Sequence, residues 1–127
     1  MSFIKEDYIN VDDALKRVGG NIGLYHKLLG RFVEGNQLDE LEKAFEDGDT
    51  EGASRMAHTI KGVAANLSLV KLQSVSAELE HIVKDSLDHA GKLSELRDVY
   101  SVTVQVISEL TTAYRTSEEA LNETRST

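Results

Sequence analysis

The chain has 127 residues, no cysteine, no proline and a formal net charge of −8, from 14 basic and 22 acidic side chains. That length suits a single domain whose core needs no cross-link, and the missing cysteines exclude disulfides, thiolate zinc sites and thiol redox chemistry. The acidic surplus argues against nucleic acid, which is held by cations, and against an anionic membrane surface; solubility accounts for it.

Apolar residues recur at helical spacing along nearly the whole chain, and the absence of proline favours long helices. A short first helix fits Asp12 to Val18, with Asn10 as N-cap and Gly19-Gly20 as the stop. Asn21 caps the next segment, which carries Ile22, Tyr25, Leu29 and Phe32 on one stripe. After Gly35 the stripe changes phase to Leu38, Leu41 and Phe45, which predicts a kink or break there.

Asp47-Gly48-Asp49 is turn chemistry, and Asp49 is placed to cap a helix running to about Asn66. Ser68 is the predicted cap of the following helix, whose inward residues are Leu72, Val75, Leu79, Ile82 and Val83. A loop is expected from Asp88 to Gly91. The last long helix has Leu96, Val99, Thr103, Ile107, Leu110 and Tyr114 on one side. Val102, Val104 and Val106 alternate as in a strand, but nothing else in the chain offers a strand to pair with, so they read as helix.

These segments predict an all-α fold: an up-and-down antiparallel four-helix bundle with an additional short N-terminal helix. It forms one domain over 1–127, with residues 1–10 and 116–127 less ordered; the second stretch loses its apolar period. MSFIKEDYIN lacks the apolar region of a signal peptide. No run approaches the ~18 apolar residues of a membrane span. A cytoplasmic location is expected. With each helix burying one stripe and no apolar face left over, so is a monomer.

The stretch AHTIKGVAANLSL, Ala57 to Leu69, carries the candidate chemistry. At ~100° per residue, Ala53, Met56, Ala57, Ile60, Val63, Ala64 and Leu67 gather on the core side, and His58 points away from them. Beside His58 lie Ser54, Arg55, Lys61, Gly62 and Ala65. Glycine inside a helix costs about 1 kcal/mol against alanine, so Gly62 needs a reason, and clearing the approach to the imidazole is one. A histidine exposed to water is largely neutral at cellular pH and can act as a nucleophile. A phosphoryl group spreads charge over its oxygens, which the nearby Lys61 can balance. Phosphoryl transfer to His58 is the chemistry that suits the pattern.

His-x-x-Lys alone is weak, because it occurs three times, at His58, His81 and His89. At His81, Asp85 replaces the glycine and Glu78 and Glu80 crowd the region, so His81 reads as part of a solvated charged face. His89 falls in a loop, and His26 borders its helix's apolar stripe as a packing residue. An ordinary surface histidine remains the plain alternative for His58 from spacing alone.

AHTIKGVAANLSL resembles the signature of histidine phosphotransfer (HPt) domains of multistep His-Asp phosphorelays in two-component signalling. VGGNIGLYHKLLGRFVE and the acidic Gly-Asp turn upstream are similar to the family's preceding helices, so the resemblance covers most of the chain. It implies that His58 is the phosphoacceptor, that Lys61 steadies the phosphoryl oxygens and that Gly62 gives the partner access, with Ser54, Arg55 and Ala65 on the docking surface. It also implies that the partners are receiver domains of response regulators or hybrid kinases, which supply magnesium and most catalytic groups. The chain itself would hold no cofactor or metal. Ser68-Leu69 departs from the family's usual small Gly-Ala step at the helix end.

No ATP-binding loop is present, so a phosphocarrier is expected rather than an enzyme. The Met1 start and polar tail favour a free-standing carrier over a piece of a kinase. No His-Glu-x-x-His or nucleophile elbow supports a hydrolase. The alternative of another class is a helical docking module that binds a receiver domain or other signalling protein without accepting phosphate.

Overall fold

The computed structural model describes residues 4–85 and 88–126, with the side chains of 122–126 excepted. Its elements are all helical: α1 (Lys5–Tyr8), α2 (Val11–Arg17), α3 (Ile22–Glu34), α4 (Gln37–Glu46), α5 (Thr50–Asn66), α6 (Val70–Lys84) and α7 (Ala90–Ser126). None of these helices is long and apolar enough to cross a membrane.

Three of the four predicted caps form. Asn10 accepts from the Asp13 N–H at 3.1 Å, Asn21 from Leu24 at 3.0 Å and Asp49 from Gly52 at 2.9 Å. Each satisfies an amide that the first helical turn leaves without a partner. Gly19 and Gly20 both adopt positive φ, 63° and 79°, which ends α2 where the sequence says it should.

The break after α3 falls at Gly35 and Asn36. Four contacts show that α3 and α4 nevertheless form one arm of the bundle. His26 stacks on Tyr114 at 4.3 Å and Phe32 packs on Tyr100 at 5.2 Å. Further along, Arg97 Nε donates to Glu42 at 3.1 Å and Phe45 stacks on His89 at 4.2 Å. The numbers rise along one arm while they fall along α7, so the two run antiparallel. With α5 packed on α4 and α6, and α6 on α7, the four arms close a bundle around Tyr25, Leu29, Leu41, Ile60, Leu72, Leu79, Leu96 and Ile107.

The structure bears on several further expectations. Two helical segments precede α3, not one: α1 lies against α6 and α7, and Ile9 behind it is buried. Ile22, at the first position of α3, stays exposed, so its stripe enters the core only from Tyr25. Gly91 belongs to α7 rather than to the loop. Residues 116–126 continue α7 as helix past the end of the apolar period, with side chains 116–121 exposed. Residues 1–3 and 127, also expected to be less ordered, lie outside the described residues. Val102, Val104 and Val106 are helical, with Val106 buried and the other two half-buried.

Ser68 does not cap α6; its hydroxyl points the other way. It has φ +56° and closes α5, with Ser68 N–H donating to the Ala65 carbonyl at 3.2 Å and Leu69 N–H to Ala64 at 2.8 Å. This paired pattern usually takes glycine at the left-handed position. Here the serine gains a use for its side chain, because its Oγ donates to Asp13 at 2.7 Å while its carbonyl accepts from Asn10 N–H at 3.0 Å. The corner between α5 and α6 is thereby tied to α2. On the other side of that corner Tyr25 donates to the Leu67 carbonyl at 3.0 Å, and burial pushes its hydroxyl pKa up to about 12.

Candidate functional site

Three alanines decide where the site forms. Ala53, Ala57 and Ala64 are fully buried on α5, along with Ile60. Small residues let helix axes approach closely, and α5 packs most extensively on α6. His58 stands outside that buried stripe, at the edge of the α5–α6 seam, with its side chain 68% exposed. The close approach brings an α6 residue, Glu80, within reach of that histidine.

Glu80 is the residue the sequence reading misplaced. It was expected on the charged face around His81; instead its side chain is 8% exposed and turned toward α5. His58 Nδ1 lies 2.9 and 3.2 Å from the two Glu80 oxygens. Lys61 Nζ donates to both oxygens of the same carboxylate, at 3.1 and 3.3 Å. Lys84 Nζ stands 3.6 Å away, one turn on along α6. A signal for this was present: the buried row of α6 is Leu72, Val75, Ser76, Leu79, Glu80 and Val83, a regular inward stripe with one acid in it. A carboxylate on such a stripe needs cationic or N–H partners.

Burial raises the Glu80 pKa, but hydrogen bonds from His58 and Lys61, with the charges of Lys61 and Lys84, outweigh it. The carboxyl is held below its ordinary range and stays ionised. An ionised carboxylate only accepts hydrogen bonds, so Nδ1 of His58 carries the hydrogen. In the neutral ring the lone pair then sits on Nε2, the nitrogen away from Glu80. The site presents an oriented imidazole on an open surface.

The other residues singled out from the sequence fall around it. Gly62 is exposed, and a Cβ built there would meet nothing within 4 Å. No packing among the described residues asks for glycine there, and the position leaves the surface bare. Ser54 and Ala65 are half-buried and Arg55 exposed on the same side of α5. The remaining histidines are elsewhere. His81 is exposed and paired with Asp85 at 3.1 Å, as expected for a solvated charged face. His26 is half-buried against Tyr114, as expected for a packing residue. His89 precedes α7 but is half-covered by the Phe45 ring, more packed than a free loop predicts.

A family model described as the Hpt domain matches residues 28–123, well over half of the chain. The chain belongs to the Hpt domain family. No match is found among curated proteins or among solved structures. Membership implies histidine phosphotransfer within a phosphorelay, the role of a phosphocarrier rather than of an enzyme, and interaction with receiver domains of two-component systems. The Hpt match begins inside α3 and takes in α4, α5 and α6, so the helix pair that builds the His58 site lies wholly within it.

Proposed function

We propose that this Hpt domain is a relay intermediate that accepts a phosphoryl group on His58 Nε2 from a receiver's phospho-aspartate and passes it to another receiver's aspartate. The observation that carries this is the Nδ1–Glu80 hydrogen bond, which leaves Nε2 as the free, outward nitrogen. In the forward step the Nε2 lone pair attacks phosphorus. The N–P bond forms, and the P–O bond to the aspartyl carboxylate breaks with its electron pair leaving on that carboxylate. The ring gains positive charge, which Glu80 stabilises across the Nδ1–H bond. The reverse step returns the phosphoryl group to a receiver. The receiver, not this chain, brings the magnesium.

Lys61 serves the same step by balancing Glu80, so that a phosphoryl group is not asked to sit beside an unpaired carboxylate. Gly62 keeps the approach open, and Ser54, Arg55 and Ala65 belong to the surface on which the receiver docks. The test is to mix the protein with a receiver domain charged on its aspartate and follow acid-labile phosphate. Transfer to the wild type but not to His58→Gln is the expected result. Binding without transfer, from several charged receivers, would instead favour a docking module.

A further inference from the structure

The cations around Glu80 are not equivalent. Lys61 donates to both carboxylate oxygens and is 32% exposed. Lys84 approaches one oxygen at 3.6 Å and is 63% exposed. Arg55 is exposed and has no ion-pair partner among the described residues. Beside the imidazole opens a hollow of about 380 Å³ lined by Ser54, Arg55, His58, Thr59, Glu80 and Lys84. Lys61, the cation that spacing on α5 selects, is not part of that lining.

The cost of recruiting each cation decides between them. For Lys61 to turn to a phosphoryl group it must release a carboxylate that is 8% exposed, and an uncompensated buried charge is expensive. Lys84 gives up only a long, solvent-exposed contact four residues along its own helix, and such pairs contribute little. Arg55 gives up no ion pair and offers a fork of donors suited to phosphoryl oxygens. The hollow also holds the Ser54 hydroxyl, and its one carboxylate is already paired with Lys61 and hydrogen-bonded to the ring.

We propose that the phosphoryl group carried on His58 is held by Lys84 and Arg55, in the hollow on the Ser54 side of the imidazole, while Lys61 remains on Glu80. This rests on His58 being the phosphoacceptor. It adds a phosphoryl-oxygen site built from α5 and α6 together.

The test uses the whole chain charged with phosphoramidate, a small donor that needs no receiver. The His58 Nε2–P bond forms as the donor's P–N bond breaks and ammonia leaves. The ³¹P resonance of the product is titrated with pH, which reads the phosphoryl group's affinity for its last proton. A cation in contact lowers that affinity. Lys84→Gln and Arg55→Gln are each expected to raise it roughly three- to ten-fold, and Lys84→Arg to restore it. Lys61→Gln, acting only through Glu80, raises it less than either. If Lys61→Gln has the largest effect, or neither Lys84→Gln nor Arg55→Gln has any, the proposal is overturned while the carrier reading stands. If the wild type gains no resonance that His58→Gln lacks, from phosphoramidate or from a charged receiver, both fall together.

Discussion

Gly62→Ala separates what the fold needs from what a partner needs. Glycine within a helix is about 1 kcal/mol less favourable than alanine, and the new methyl group meets nothing within 4 Å. No clash offsets the gain, so the variant is expected to be about 1 kcal/mol more stable than wild type, raising the thermal midpoint by roughly 3–5 °C in a domain of this size. Urea and thermal unfolding followed by circular dichroism measure it. Gly62→Gln tests the other half. Its longer side chain projects from the same bare surface, so transfer from a charged receiver slows, while charging by phosphoramidate, which needs no docking, stays at the wild-type rate. A destabilised Gly62→Ala would mean that the helix itself requires the glycine. Receiver transfer at the wild-type rate in Gly62→Gln would refute the cleared-surface argument.

Glu80→Ala removes the acceptor that orients His58, and charging by phosphoramidate should slow roughly ten-fold, the scale seen when the partner of a metal-bound histidine is removed; Glu80→Gln, whose amide oxygen still accepts, loses less, and equal rates in all three proteins would take Glu80 out of the mechanism. Gly52→Ala contrasts with Gly62→Ala, because a Cβ at 52 collides with the capping carboxylate of Asp49; the lost cap, about 1 kcal/mol, cancels the propensity gain, whereas in an Asp49→Ala background the same change stabilises, and a double-mutant cycle by urea unfolding reads the difference. Burial holds the His26 imidazole below its ordinary 6.5, so the unfolded chain binds that proton more readily: stability is full above 6.5 and falls as pH drops below it. His26→Phe, which keeps a ring against Tyr114, should flatten that slope in unfolding measured across the range, and an unchanged slope would discount His26. Ser68→Ala keeps a left-handed backbone while losing the bond to Asp13, whereas Ser68→Gly loses the bond but relieves the strain; the glycine variant should be the more stable of the two by about 1 kcal/mol, and the reverse order would show that Ser68 is not strained.

Helix content, the main caps, the break at Gly35 and the exposure of His58 were all legible in the sequence, because each depends on residues within one or two turns of each other. Asn10, Asn21 and Asp49 act on amides three residues away, and the wheel that puts His58 outside uses only its own helix. What spacing along one helix cannot state is which helix lies alongside and how near. The close contact of α5 with α6 turned Glu80 from a presumed surface acid into the partner of His58 and Lys61, and placed Lys84 at the same site. The same limit hid the task of Ser68, whose hydroxyl bonds Asp13, fifty-five positions away, rather than the helix it precedes. The sequence alone determined that this chain is a helical bundle with one bare, histidine-bearing face; tertiary packing decided which nitrogen of His58 is free, since that rests on a carboxylate reached only through space.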